Sequence, residues 1–183
     1  NTGNGQQGGS LLVYTRPAEQ TIGRIVPSLG EIDIRFFNDQ TPLTVANFFQ
    51  YADRGIYDTS FFHRSVADFV VQGGGFDATD PDFDPVQVFD PVLNEPGISN
   101  TRGTIAMAKL GGNPNSATNQ WFFNLGNNSS NLDSQNGGFT VFAEVIDDEG
   151  LAVMDALAAL KTIDATSVQG AFDDLPVTDD PAT

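Results

Sequence analysis

Residues 61–76 read Phe-Phe-His-Arg-Ser-Val-Ala-Asp-Phe-Val-Val-Gln-Gly-Gly-Gly-Phe and hold the residue types most able to do chemistry. The only histidine, His63, stands beside Arg64, and both lie among aromatic side chains. Gln72 closes an apolar run of Phe69, Val70 and Val71. A core strand has no use for a histidine, an arginine and a glutamine, and a solvent loop has no use for Phe61, Phe62, Phe69, Val70 and Val71. The mixture predicts strands that present polar groups beside an apolar groove. One histidine and no cysteine make a poor transition-metal site. No nucleophile-elbow motif accompanies His63, so it is expected as a hydrogen-bonded structural residue next to the site. Arg64 by itself reads as a surface or salt-bridged arginine. Gly73, Gly74 and Gly75 are not followed by Lys-Ser/Thr, so they imply tight backbone geometry rather than phosphate binding.

The whole chain bounds what these residues serve. Its 183 residues suit one domain with a real core. The formal charge is −16 with two lysines, Lys109 and Lys161, so no basic patch exists to neutralise nucleic-acid or membrane phosphates. No apolar run approaches the ~18 residues of a membrane helix. The acidity reads as a solubility device. Asp77, Asp80, Asp82, Asp84 and Asp90 lack the spacing, glycine and terminal glutamate of a calcium loop, so a solvated acidic loop is expected, with a weak calcium site as the alternative.

Several elements must position residues 61–76. Residues 1–10 contain no apolar side chain and read as a flexible lead-in; residues 176–183 read as an acidic tail, leaving 11–175 as the domain. Strands are predicted at 11–14, 21–26 and 31–37, the last alternating Ile32, Ile34 and Phe36 with charged residues. A helix follows, with Thr41 as cap, Pro42 at its first position and Val45, Phe48, Phe49 and Ala52 as its stripe. Further strands are predicted at 57–62, 69–72, 104–109, 120–125 and 139–145, and a last helix at 149–160. Frequent turn signals without βαβ repetition favour an antiparallel barrel or sandwich with a helix near each end.

At this level of detail the sequence resembles the cyclophilin-type peptidyl-prolyl cis/trans isomerases over roughly residues 20–165. Phe62-His63-Arg64 with Phe69, Gln72-Gly73-Gly74 and Phe76 carries the likeness. So do Gly103-Thr104-Ile105-Ala106-Met107-Ala108 and the run from Ser116 to Asn124. Leu132-Asp133 followed by Phe139-Thr140-Val141-Phe142 is a weaker fourth block. The resemblance implies a mainly β fold, an eight-stranded antiparallel closed barrel capped by two α-helices.

It also implies an enzyme that accelerates rotation about X–Pro bonds in proline-containing peptides and unfolded proteins, without cofactor or metal. Arg64, Gln72 and Phe69 take the catalytic positions, Arg64 as the donor to the prolyl nitrogen. Val70, Met107, Ala108, Lys109, Gln120, Phe122, Leu132 and Phe139 take the substrate-binding positions, with Gln72 and Gln120 expected to orient Arg64 or hold the peptide. Asn131 stands where many members carry a tryptophan, which weakens the expected binding of cyclosporin-type macrocycles. Phe139 replaces a common histidine, and Lys109 a common asparagine. If Gln120 and Phe122 face the groove, Trp121 faces the other side and packs under a helix. A proline-peptide-binding chaperone or scaffold with little turnover is the alternative, and a calcium-dependent acidic adaptor a third. A monomer is expected. The acidic composition, the lead-in and a first residue other than methionine point to the periplasm or secretion, with the cytoplasm left open.

Overall fold

The computed structural model describes residues 10–15 and 21–178. In chain order its elements are β1 (Ser10–Thr15), β2 (Thr21–Val26), β3 (Ile32–Phe36), α1 (Pro42–Ala52), β4 (Ser60–Val66), β5 (Val70–Asp77), β6 (Thr104–Met107) and β7 (Trp121–Asn124). There follow α2 (Ser129–Leu132), β8 (Val141–Val145), α3 (Asp148–Ala158), β9 (Lys161–Ile163) and β10 (Leu175–Val177). Most of the expected lead-in lies outside the described residues, as do residues 179–183 of the expected tail. Pro176 and Val177, placed in that tail, pair with β9.

β1 to β8 form one eight-stranded sheet in the order β1-β2-β3-β8-β6-β7-β5-β4, and β9 with β10 forms a second, two-stranded one. Every ladder is antiparallel. The mainly β antiparallel fold is therefore as expected, but the closed barrel is not: the sheet is curled and open, with β1 and β4 at its edges. The edge at β4 is occupied by the C-terminal segment instead, where Ser65 donates its amide to the Asp174 carbonyl at 2.9 Å.

Both expected long helices are present, and each covers core. Pro42 opens α1 with a backbone angle already suited to a helix. Thr41 holds the cap position without capping; its hydroxyl donates to the Phe37 carbonyl at 3.2 Å. The free amides of the first turn go to Glu95, which accepts from Leu43 at 3.1 Å and Thr44 at 2.8 Å. A carboxylate there also suits the positive end of the helix dipole. In α3, Asp147 caps by accepting the Gly150 amide at 2.7 Å.

Under these helices lies the main core. Ile32, Ile34, Phe48, Tyr51, Ile105, Met107, Phe123, Phe142 and Met154 are buried together. Trp121 joins them, 6.0 Å from the Phe48 ring of α1, the position expected from its alternation with Phe122. A second, smaller cluster unites Val70, Ala106, Phe122, Leu132 and Val141, with Phe37, Phe69, Ile98, Ala108 and Phe139 packed against it. Successive side chains in a strand point to opposite faces, so β5, β6 and β7 each supply residues to both clusters.

Candidate active site

The site grows out of one cross-strand row. Arg64 of β4 pairs with Gln72 of β5, Gln72 with Phe122 of β7, Phe122 with Ala106 of β6, and Ala106 with Val141 of β8. Residues directly opposite each other share a face. The row therefore puts an arginine and a glutamine at one end of a face whose other members belong to the smaller apolar cluster. The row's polar-to-apolar boundary falls between two of its five strands, β5 and β7, at Gln72 and Phe122.

A β-bulge sets the polar end. The register shifts between Phe62, which pairs with Gly73, and Arg64, which pairs with Gln72, so His63 is the extra residue. Such an insertion re-aims side chains without ending the strand. Phe62 points to the main core, 5.7 Å from the Trp121 ring. Arg64 emerges beside Gln72, its side chain 31% exposed. His63 is buried at 1% exposure, edge-on to Phe76 at 4.8 Å. Burial pushes its imidazole down to about 4, with the Phe61 backbone and Gln120 acting in the opposite direction, so it is neutral at pH 7. Its Nδ1 has no hydrogen-bond partner. His63, expected as a hydrogen-bonded residue beside the site, is instead packed among the rings of Phe61, Phe76 and Phe172 with that nitrogen unpartnered.

Glycines make the close approach possible. A Cβ on Gly75 would fall 2.9 Å from the Gln120 amide and 3.1 Å from the His63 ring. Gly74 has φ +78°, and a Cβ there would meet the Asn119 carbonyl at 2.8 Å. A side chain at Gly74 would strain the backbone and strike a carbonyl, and one at Gly75 would push the Gln120 amide out of place.

Gln72 and Gln120 do not hold the arginine. Gln72 Nε2 donates to Gln120 Oε1 at 2.7 Å, and neither amide is bonded to Arg64. The contact on the guanidinium is Asp173, whose Oδ1 lies 3.6 Å from Arg64 Nε.

The apolar wall carries most of the expected substrate-binding residues. Val70, Phe122 and Leu132 are buried in it, and Phe69, Ala108 and Phe139 pack on it, with Phe122 and Phe139 rings 5.9 Å apart. Met107 is the correction. It is fully buried in the main core, because it neighbours Ala106 in β6 and so points the other way. Ala106, Val141, Ile98 and Phe37 stand in the wall without having been anticipated.

Lys109 sits at the rim with its ammonium committed to the protein. Nζ donates to Asn94 Oδ1 at 3.1 Å, the Asn136 carbonyl at 2.9 Å and the Gly138 carbonyl at 2.6 Å. It also lies 4.8 Å over the Phe139 ring. Burial lowers its pKa. The Ala108 amide donates to the Gln120 carbonyl at 2.9 Å, just past the ends of β6 and β7.

A buried amide network backs the wall. Asn128 Nδ2 donates to the Phe69 carbonyl at 2.9 Å and to Asn124 Oδ1 at 2.8 Å. Asn124 donates to Asn100 Oδ1 at 3.2 Å, and Asn100 to the Phe139 carbonyl at 3.1 Å. Asn100 also donates to Asp133 Oδ1 at 3.0 Å. Burial works to raise the Asp133 carboxyl, but the bonds from Ser99 and Asn100 outweigh it and hold it below the usual range. Two wall residues far apart in sequence, Phe69 and Phe139, are thereby tied to one rigid frame. Asn131, by contrast, is exposed.

Comparison with known proteins gives the family of the chain. The family model "Cyclophilin type peptidyl-prolyl cis-trans isomerase/CLD" matches residues 22–177. A peptidyl-prolyl cis-trans isomerase of Acinetobacter baylyi is 36% identical over 157 residues, 84% of this chain and 80% of that protein. Peptidyl-prolyl cis-trans isomerase B of Escherichia coli is 39% identical over 156 residues, 82% of this chain and 89% of that protein. Among solved structures, a Cryptosporidium parvum cyclophilin type isomerase crystallised in the presence of the dipeptide Ala-Pro superposes with a TM-score of 0.65 at 21% identity. That match covers 85% of this chain and 90% of the other, and it speaks for the fold.

Proposed function

Since the chain belongs to the cyclophilin-type peptidyl-prolyl cis-trans isomerases, we propose how its own residues turn that membership into catalysis. The barrier to X–Pro rotation is lost amide resonance, ~18–20 kcal/mol. No bond between heavy atoms is made or broken. The enzyme has only to bind the twisted amide more tightly than either planar form. Twisting frees the lone pair on the prolyl nitrogen, and Arg64 donates to it from the planar fork of its guanidinium. The proline ring rests on Phe69, Val70, Phe122 and Leu132, with Phe139 closing the far side. Gln72 and Gln120, locked to each other, offer their remaining amide groups to the peptide backbone. The Ala108 carbonyl and the Lys109 backbone take the extended segment.

One observation carries this reading: the row from Arg64 through Gln72 and Phe122 to Val141, which sets a fixed charge at the edge of an apolar wall. The test is NMR exchange on an X–Pro peptide with wild type and Arg64→Ala. Loss of a preorganised donor should lower the exchange enhancement by about 10²-fold or more, with an unchanged circular dichroism spectrum. Near-normal exchange in Arg64→Ala would sink the assignment. Peptide binding by the wild type without any exchange enhancement would favour the binding-module alternative.

Substrates on this reading are proline-containing segments of flexible or unfolded proteins, handled by a monomer whose folded unit runs past the expected limit of 175 to the end of β10 at Val177. Asn131 in place of the common tryptophan lowers affinity for cyclosporin-type macrocycles. The −16 charge keeps nucleic acids and anionic membranes away. Among the described residues no helix is long and apolar enough to cross a membrane. The compartment supported by the acidic composition is the periplasm or the exterior, which fractionation of the native host would check.

A further inference from the structure

We propose that Asp173 is a positioning residue for Arg64 in the isomerase reaction, an inference that rests on the role given to Arg64 above. Arg64 has a long side chain with many rotamers, and a donor that wanders is a poor catalyst. The two glutamines that share its neighbourhood bond each other instead. Among the described residues the side chain that meets its guanidinium is Asp173, at 3.6 Å between Oδ1 and Nε. The contact is on the Nε edge. The terminal nitrogens of the fork have no side-chain partner among the described residues and remain available to a substrate.

Asp173 is held firmly enough for the task. Its neighbour Phe172 is 1% exposed and packs 4.9 Å from Phe76, 5.6 Å from Phe61, 6.1 Å from Phe83 and 6.4 Å from His63. The Phe172 carbonyl accepts the Ala165 amide at 2.8 Å, and its amide donates to the Gln169 carbonyl at 2.9 Å. On the other side, the Asp174 carbonyl accepts the Ser65 amide at 2.9 Å. Asp173 is therefore clamped before and after, and the second clamp is the residue next to Arg64. The C-terminal segment brings a carboxylate to the catalytic arginine by docking on the strand that carries it.

The pair is partly exposed, 31% on the arginine and 57% on the aspartate, so its strength is modest and its effect belongs to turnover rather than stability. Asp173→Ala, Asp173→Asn and Asp173→Glu are compared by X–Pro exchange across peptide concentrations, alongside Tm. Asp173→Ala and Asp173→Asn should lower kcat roughly 2–5-fold with KM and Tm unchanged, and Asp173→Glu should restore it. In an Arg64→Ala background, Asp173→Ala should lower the residual exchange no further, since the two act as one unit. An unchanged or raised kcat in Asp173→Ala overturns the proposal, as does a loss confined to KM or Tm. An equal fall with and without Arg64 overturns it too. If Arg64→Ala keeps near-normal turnover, the Arg64 reading fails; if Arg64→Ala is inactive and Asp173→Ala silent, only the positioning role fails.

Discussion

Phe122 and Phe123 are neighbours in β7 and belong to different parts of the molecule. Phe123 is fully buried among Ile105, Val71, Trp121 and the rings beneath α1. Phe122, buried to 4% exposure, lies in the smaller cluster with Val70, Ala106, Leu132 and Val141. The same alternation separates Met107 from Ala106 and Val71 from Val70. One face of three short strands is the core that makes the sheet stable. The other is an apolar wall that the fold does not cover with a long helix and that a proline ring can use. With the wall as the proposed proline site, the period of two divides stability from function, residue by residue.

The sharpest way to break this division is to truncate each phenylalanine in turn. Phe123→Ala should destabilise by about 3–5 kcal/mol, a large share of a typical domain's margin. Urea denaturation would read it, and turnover per folded molecule should be little changed. Phe122→Ala should lose less stability and lower kcat/KM by roughly 10-fold or more, as the proline ring loses its main contact. Equal stability losses with equal turnover losses would erase the distinction between the faces.

His63 tests the bulge that joins the two. Its folded pKa of about 4 lies below the ordinary histidine value, so between those two pH values the unfolded chain binds more protons than the folded one. Stability from this source is complete above about pH 6.5 and declines as pH falls toward 4, by on the order of 3 kcal/mol in all. In His63→Gln that part of the pH dependence should vanish. Urea titrations at pH 7 and 4.5 would show it, and a wild-type slope identical to the variant's would mean the ring is not buried neutral.

The smallest effect is expected at the rim. Lys109→Met removes three hydrogen bonds to carbonyl oxygens at Asn94, Asn136 and Gly138. It should lower stability by about 1 kcal/mol and raise KM a few-fold, because Phe139 loses its brace. A variant with unchanged KM would place Lys109 outside the groove's support.

Much of the fold was legible where periodicity or caps were strong. β2 matches its expected bounds, and Pro42 marks the start of α1. Around His63 the reading slipped: strands expected at 57–62 and 69–72 are Ser60–Val66 and Val70–Asp77. An apolar run marks where a strand is covered, not where its backbone ladder ends, and a bulge leaves no compositional trace. Met107 and Ala108 were both placed in the groove, although neighbours in a straight strand cannot share a face. That rule, applied to Ala108, would have found Ala106. Asp173 had no local signal. It lies 109 residues after Arg64, near a three-residue strand whose partner is equally short. The amide network was hidden for a related reason, since Asn100 and Asn128 look like ordinary loop residues, and Asn124 like a polar strand end, until the fold buries them.

β4 is the last strand of the sheet, and a bare strand edge is a template for pairing with other chains. Here the C-terminal segment lies along it, with β10 beside β4 and the Ser65 amide satisfied by Asp174. Phe172 at the same time covers Phe61, Phe76 and Phe83. The segment that brings a carboxylate to Arg64 is therefore also a guard against self-association. A molecule that lost it would expose an adhesive edge and a patch of phenylalanine at the same place, so, with Asp173 positioning Arg64 as proposed, solubility and turnover would depend on a single docking event.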